Sequence, residues 1–522
     1  MEKLGKYRCC FPDKDGKSKQ RVWETDMIYN FNLGIGWASS GVEYAQSYRA
    51  VMLRNIGANA KFIFTDMIVS ENIEHMTKNI GFLDSEIIWL YTFFTDQKTA
   101  PVTYTLEELK KTLPAGDYKY TRNGKVGRII FQGTNNFYTV YFTDEMSDRV
   151  HRVEIVSGGL LIRKDYFTYG RVFSEYYAPL NNKAHMYLRR FFNEDGTVAY
   201  EEINDDGTVM YQFPDQLFCS KEEFVGYMVS RLNLTKNDTI LIDRTTGIGQ
   251  AILRHAGEAR VGIIIHADHF SEGATDENYV LWNNYYEYSF AMRKHVDFYV
   301  TATDEQNRLL KDQFLKYTGA APTVYTIPVG SLEELKYPTV NRKPYSILTA
   351  SRLASEKHID WIIEAVAEAW KTVPQLSMDI YGKGGEEPKL RELIKKLGAE
   401  NYIVLRGQQN LKEVYQDYEL YLSGSTSEGF GLTLMEAIGG GLPIIGFDVR
   451  YGNPTFIDDG GNGYLIPIDE HMTSRQKIEA LTDRLIRLFT EADLDSFHKH
   501  SYEKARGFLT KEVELRWKDI VG

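Results

Sequence analysis

Two apolar periods alternate along this chain, and their order is its first information. Met27-Ile28-Tyr29-Asn30-Phe31-Asn32 reads as a short strand and runs into Leu33-Gly34-Ile35-Gly36-Trp37-Ala38-Ser39-Ser40-Gly41. Val42, Tyr44, Ala45, Tyr48, Val51 and Met52 then recur at helical spacing, and Lys61-Phe62-Ile63-Phe64-Thr65 is a second strand. A strand, a glycine loop, a helix and a strand are the opening unit of a parallel α/β sheet.

The pattern changes at about 102 and stays strand-like to 218. Turn signals punctuate it: Asn123-Gly124, Asn135-Asn136, Gly158-Gly159, Asn181-Asn182, Asp195-Gly196 and Asp206-Gly207. Asp195-Gly196-Thr197-Val198-Ala199-Tyr200 recurs eleven residues later as Asp206-Gly207-Thr208-Val209-Met210-Tyr211. That period fits one hairpin strand plus its turn, so an antiparallel meander is expected. The α/β alternation then resumes, with strands expected at 239–243, 261–266, 297–301 and 323–328 and helices at 277–293 and 304–317. A second series starts at Ser346-Ile347-Leu348-Thr349-Ala350 and continues through 378–381, 402–405, 420–423 and 443–446. Lys336-Tyr337-Pro338 to Lys343-Pro344 is a polar, proline-bearing linker. The expected architecture is two doubly wound halves, with ligands outside the carboxyl ends of the strands.

Composition narrows the function. The chain has 522 residues, enough for several domains, and its 43% hydrophobic and 25% charged residues are ordinary for a globular protein. A net charge of −11 argues against a chain-wide grip on nucleic acid. Cys9, Cys10 and Cys219 are too few for a disulfide framework, which makes a reducing compartment the default. No apolar run reaches the length of a membrane span. Lys3, Lys6, Arg8, Lys14, Lys17, Lys19 and Arg21 form a basic arm without an apolar signal core. It is able to touch an acidic membrane surface, or it is an extension without function.

The candidate chemistry sits at strand ends. Ser427-Glu428-Gly429-Phe430-Gly431-Leu432-Thr433-Leu434-Met435-Glu436 follows one strand and opens a helix. Its glycines let backbone approach a ligand, and free N–H groups at the helix start suit a diphosphate. Glu428 and Glu436 can accept hydrogen bonds from sugar hydroxyls, or are simple helix charges. Arg352 and Lys357, in the loop after 346–350, are a phosphate-binding pair or a solvated surface pair. Gly34-x-Gly36 to Gly41 is neither a dinucleotide fingerprint nor a P-loop, but it can bring backbone near a ligand or make a tight turn. His266 ends an apolar strand, as a ligand contact or a core-edge residue. His266, Asp268 and His269 are too crowded on one extended segment to share a metal easily. Arg406-Gly407-Gln408-Gln409 can read a base edge or serve as a plain turn.

Together these residues resemble retaining glycosyltransferases of the GT-B fold, through the Arg…Lys pair and the Glu-x(7)-Glu motif of Glu428 and Glu436. Residues 32–45, His266-Ala267-Asp268-His269, Ala350-Ser351-Arg352-Leu353 and Ser425-Thr426-Ser427-Glu428-Gly429-Phe430-Gly431 are similar to the GtfA-type subunits that glycosylate serine-rich repeat adhesins. The resemblance covers 27 to the carboxyl end. It implies an α/β GT-B fold of two Rossmann-like lobes facing a cleft, with an inserted antiparallel β-meander domain. The implied division is a basic extension (1–26), the first part of the amino-terminal lobe (27–100), the insertion (101–218), the rest of that lobe (219–335) and a carboxyl-terminal nucleotide-sugar lobe (336–522). The last helix of that lobe is placed to cross back to the first.

The resemblance also implies roles. Arg352 and Lys357 hold the nucleotide diphosphate, Glu436 takes the ribose hydroxyls, Glu428 takes the donor sugar, and His266 contacts that sugar near its 6-hydroxyl. Gly429, Phe430, Gly431 and Leu432 contribute donor contacts, Gly41, Val42, Glu43 and Tyr44 close over the nucleotide, and Gln408 and Gln409 flank the uracil. The reaction moves N-acetylglucosamine or glucose from a UDP donor to Ser/Thr hydroxyls with retention. No cofactor or metal beyond the UDP-sugar is implied. The implied partners are a serine-rich acceptor polypeptide and a GtfB-type subunit, the latter received by the meander. The implied location is cytoplasmic, with a peripheral contact at the inner face of the cell membrane. Tyr166, Phe167, Tyr169, Tyr176 and Tyr177 serve a partner or acceptor surface, or form the meander's own core. Two other functions remain open on these residues: a non-catalytic partner or chaperone subunit on the same fold, and a GT-B enzyme with a small-molecule or lipid acceptor.

Overall fold

The computed structural model describes residues 8–12, 18–22, 26–36, 41–469 and 471–521. Most of the basic arm, and Trp37 to Ser40 of the glycine loop, lie outside the described residues. The backbone of Arg8–Pro12 pairs antiparallel with that of Ser18–Val22.

The chain divides into two compact units, one made of 1–264 with 282–298 and the other of 265–281 with 299–522. In the first unit, parallel strands run in the order Ile87–Trp89, Asn59–Phe64, Met27–Asn32, Thr239–Ile242 and Arg260–Ile265. Strand Met27–Asn32 is buried throughout, as a strand covered on both faces must be. A ten-stranded antiparallel sheet follows its own chain order from Tyr118–Asn123 to Leu217–Phe218. The hairpins expected from the turn signals are present, and the repeated Asp-Gly-Thr segments lead into the neighbouring strands Val198–Asp205 and Thr208–Gln212. The stretch before the sheet is not strand throughout: Leu106–Lys111 is a helix, closed by a reciprocal cap between Thr105 and Glu108.

Aromatic packing joins the sheet to the rest of its unit. Tyr200 stacks on Phe191 and Phe213, and its hydroxyl donates to the Tyr91 carbonyl at 2.8 Å. Tyr166 and Phe167 are core residues. Tyr169 and Tyr177 are half-buried, their hydroxyls donating to Glu194 and Glu175.

The second unit holds a six-stranded sheet in the order Ile403–Gly407, Ser377–Tyr381, Ser346–Ala350, Leu420–Leu422, Ile444–Phe447, Gly463–Ile466, all parallel. Its core includes Ile347, Ile362, Val366, Ile380, Leu422 and Leu485, all essentially without solvent exposure. The helix expected over 277–293 is broken. Asp276 Oδ1 accepts from the backbone of Asn278 and Tyr279, a local turn that competes with helix, and only Glu287–Ala291 is helical. The helix Asp304–Thr318 follows its expectation, capped by Thr303 and ended by Gly319 in the left-handed region.

Candidate functional site

Ser346–Ala350 and Leu420–Leu422 are neighbours in the six-stranded sheet, with Ile347 opposite Leu420 and Leu348 opposite Tyr421. Their parallel register brings both carboxyl ends to one edge, where loops 351–357 and 423–431 emerge. The first loop turns through Ser355–Lys357 into His358, whose ring stacks on Trp361 at 3.6 Å between centroids. The second loop passes so close that a Cβ on Gly424 would lie 2.7 Å from the His358 carbonyl oxygen and 3.0 Å from that of Lys357. Glycine there permits the contact that defines the site: Lys357 Nζ donates to Glu428 Oε2 at 2.6 Å. Both side chains are more than four-fifths buried, at 17% and 19% exposure. The Glu428 backbone is fixed as well, its carbonyl accepting from Tyr451 N at 2.6 Å and Gly452 N at 2.8 Å.

Glu436 lies on the helix Leu432–Gly439 that Gly431 opens. Its Oε2 accepts from the Tyr415 hydroxyl at 2.7 Å. Burial raises its pKa, and the Tyr415 hydrogen bond draws it back down. Tyr421 is shared by the two loops: its hydroxyl bonds the Ala350 carbonyl at 2.8 Å and lies 2.9 Å from Thr433 Oγ1. Burial raises the Tyr421 pKa, and the charges of Glu428 and Glu436 add to that rise. Phe430 turns its ring into the core, edge-on to Phe456, and leaves its backbone to the loop.

Arg352 is not drawn into this cluster. Its guanidinium is 78% exposed and pairs with Glu356 at 2.9 Å. Its backbone neighbours are held tightly, Leu353 N donating to the Lys383 carbonyl at 3.0 Å. His266, half-buried at the end of Arg260–Ile265, brings its carbonyl oxygen within 3.3 Å of where a Cβ on Gly429 would stand, so its segment adjoins the Glu428 loop. His269 turns inward, with Nε2 2.8 Å from Gln313 Oε1 and Nδ1 3.4 Å from the Tyr451 hydroxyl. No group of three or more His, Cys, Asp and Glu residues able to hold a metal occurs among the described residues.

Burial lowers the His269 pKa from 6.5 to about 4. An unfolded chain therefore binds a proton at this histidine that the folded chain refuses. Stability is intact above the unfolded value and is lost as pH falls towards the folded one. Wild type is expected to lose about 2 kcal/mol at this residue between pH 7 and pH 5. Urea unfolding at both pH values checks this against His269→Gln, whose pH dependence should be shallower by that amount; equal slopes contradict it.

Gln408 and Gln409 are exposed beyond Ile403–Gly407, and Gln409 Nε2 donates to the Arg406 carbonyl at 3.1 Å. That strand end is anchored by residues the motif reading passed over. Arg406 Nε donates to Asp379 Oδ1 at 2.9 Å, and the Tyr418 hydroxyl donates to Asp379 Oδ2 at 2.5 Å. Tyr415, Tyr418, Tyr451 and Asp379 carry no sequence signal beyond their types. Gly382, Gly384 and Gly385, directly after strand Ser377–Tyr381, were a legible one.

In the other unit, Gly41 opens the helix Gly41–Asn55, Val42 and Glu43 are buried, and Tyr44 is 46% exposed. Gln46 ties this helix to its sheet, accepting from Asn32 at 3.2 Å and donating to Asp243 at 2.6 Å, where Arg49 also pairs.

Comparison with known proteins places these residues in a family context. A family model described as the GtfA extended beta-sheet domain matches residues 119–215, and one described as glycosyl transferases group 1 matches 333–491. The UDP-N-acetylglucosamine–peptide N-acetylglucosaminyltransferase GtfA subunit of Streptococcus gordonii is 52% identical over 495 residues, covering 95% of this chain and 98% of its own. A crystal structure of a GtfA/B complex superposes with a TM-score of 0.93 at 51% identity, over 95% of this chain and 99% of that one. The pneumococcal O-GlcNAc transferase GtfA, solved with UDP and GlcNAc, gives 0.88 at 50% identity, over 96% and 99%.

Proposed function

The chain belongs to the GtfA-subunit family of UDP-N-acetylglucosamine–peptide N-acetylglucosaminyltransferases, and on that premise we propose that it transfers N-acetylglucosamine from a UDP donor to Ser/Thr hydroxyls of a serine-rich acceptor polypeptide, with retention. The observation that carries the reading is the Lys357–Glu428 contact at a parallel-sheet edge, with Glu436 on the helix that opens there. Lys357 takes the diphosphate, with Arg352 swinging in from its exposed pair to share the charge. Glu428 accepts from donor-sugar hydroxyls, His266 contacts the same sugar, and Glu436 accepts from the ribose. Gly429, Phe430, Gly431 and Leu432 present backbone to the donor, and Gln408 and Gln409 flank the base. To this set the proposal adds Gly41, Val42, Glu43 and Tyr44, on the family motif alone.

The chemistry needs no covalent enzyme intermediate. The bond from the anomeric carbon to the diphosphate oxygen breaks while the acceptor oxygen bonds to that carbon from the same face. The acceptor proton passes to the departing phosphate oxygen. Lys357 and Arg352 stabilise the charge that develops there, the term that preorganised cations supply.

The ten-stranded sheet exposes Ile130, Leu160, Ile162, Leu180 and Tyr187, which supports its reading as the seat of a GtfB-type partner. A cytoplasmic location, with the basic arm at the inner membrane face, completes the proposal. Among the described residues no helix is long and apolar enough to cross a membrane.

The test is incubation of the chain, alone and with a GtfB-type partner, with UDP-N-acetylglucosamine or UDP-glucose and a serine-rich polypeptide, read by intact mass. The expected result is addition of N-acetylhexosamine units. Hexose addition in their place would reassign the donor, and no addition with either donor, partner present, would refute the proposal.

A further inference from the structure

Tyr415 lies in a tight turn, Tyr415–Asp417, outside every motif that drew attention to this site. Its side chain is 3% exposed, and a Cβ on Gly440 would lie 2.7 Å from its own Cβ, so the turn is pressed onto the end of the helix that carries Glu436. The ring is also in contact with Tyr421, centroids 6.4 Å apart. Locked in this way, its hydroxyl reaches Glu436 Oε2 at 2.7 Å. It is the one side chain among the described residues that hydrogen-bonds this carboxylate.

The arrangement has a consequence for ligand binding. A carboxylate holds both hydroxyls of a ribose most strongly when ionised, because each hydroxyl then donates to a charged acceptor, whereas a protonated carboxyl offers weaker, neutral hydrogen bonds. Among the described residues, no cation contributes to the Glu436 pKa. The titratable groups that face it are the Tyr415 hydroxyl from the turn and the Tyr421 hydroxyl from Leu420–Leu422, and both are neutral donors. Burial works against its charge, and Tyr415 works for it. With one lone pair of Oε2 engaged from the protein side, the carboxylate plane is set, and Oε1 and the second lone pair of Oε2 are left for the two hydroxyls.

We propose that Tyr415 is a positioning residue for donor binding, holding Glu436 oriented and charged so that it receives the ribose hydroxyls of the nucleotide. The inference rests on the reading of Glu436 as the ribose acceptor. It adds that this function depends on a phenol hydrogen bond and that losing the bond makes nucleotide affinity fall with acidity.

The test is Tyr415→Phe, which keeps the ring in its packed place and deletes only the hydroxyl. UDP affinity is measured by calorimetry at about pH 8 and about pH 6 for wild type and variant, with 2′,3′-dideoxy-UDP as the companion ligand. At pH 8 the variant should bind UDP within about threefold of wild type, because Glu436 is ionised in both; this also shows that the variant is folded. At pH 6 its affinity should fall severalfold further than that of wild type, because burial then raises the Glu436 pKa without the Tyr415 hydrogen bond to oppose it. The dideoxy ligand should show no such pH-dependent difference. A loss equal at both pH values, or no loss at either, overturns the role of Tyr415. The reading of Glu436 fails separately: if wild type binds UDP and dideoxy-UDP equally and Glu436→Gln changes neither, the ribose assignment is wrong whatever Tyr415→Phe does.

Discussion

Lys357→Ala is expected to slow glycosyl transfer about a thousandfold while weakening UDP binding by less than about tenfold, a loss of about 4 kcal/mol that falls on the transition state. The asymmetry follows from where the charge is needed. Ground-state UDP spreads its charge over the whole diphosphate, and in the proposed site backbone N–H groups at the Gly431 helix start and Arg352 would share the task of holding it. As the sugar leaves, charge concentrates on one oxygen. A single ammonium in a partly buried, preorganised position stabilises that oxygen far more than a solvated cation would. The same ammonium neutralises Glu428 at 2.6 Å, so the alanine variant also leaves a carboxylate without its partner beside an incoming diphosphate. Lys357→Arg should recover part of the rate, because it restores charge without the compact geometry. Steady-state kinetics beside UDP calorimetry separate the two terms. Equal losses in rate and UDP affinity would mean that Lys357 only anchors the donor.

The second large effect is expected at Gly382, where φ is +134° and a Cβ would stand 1.9 Å from the Ser351 carbonyl oxygen. Nothing at that distance can yield except the loop itself, and the loop is the one that carries Arg352 and leads into Lys357. Gly382→Ala should therefore cost about 3 kcal/mol or more of stability, through strain and the forced shift together. It should also weaken UDP binding by about a hundredfold at a temperature where the variant is still folded. Gly385→Ala, three residues on, is the control: its Cβ meets nothing within 4 Å, and both stability and affinity should stay near wild type. Thermal unfolding and UDP titration of the pair check this. A Gly382→Ala variant with ordinary affinity would show that the 351–357 loop does not need its present path.

What was legible in the sequence and what was not divides along physical lines. Strand 346–350 was readable to the residue because it is an unbroken apolar run in a parallel sheet, buried on both faces and closed by a charged loop. The meander was readable from its turns, since Asn-Gly and Asp-Gly pairs report a backbone conformation that few other residues adopt. The helix expected over 277–293 failed for the same kind of reason: its apolar spacing is helical, but Asp276 spends its carboxylate on a local turn. Within the site, Glu428 and Lys357 were visible because motif residues stand at strand ends. Their direct contact was not, because it depends on how closely Gly424 lets one loop pass another. The bonds of Tyr415 to Glu436 and of Asp379 to Arg406 and Tyr418 were invisible, since a tyrosine or an aspartate carries no mark of its partner until the chain is folded. Arg352 was read with Lys357 as a diphosphate pair, and the surface pairing of its guanidinium with Glu356 was not legible in the sequence.

In the proposed function the Lys357–Glu428 pair opens to receive the diphosphate and sugar of the donor. A crystal structure of the chain with UDP and N-acetylglucosamine measures this directly. The expected result is Lys357 Nζ within hydrogen-bonding distance of a diphosphate oxygen, Glu428 turned to the sugar, and Glu436 on the ribose hydroxyls. UDP bound elsewhere, with Lys357 and Glu428 still joined at their present 2.6 Å, would contradict it.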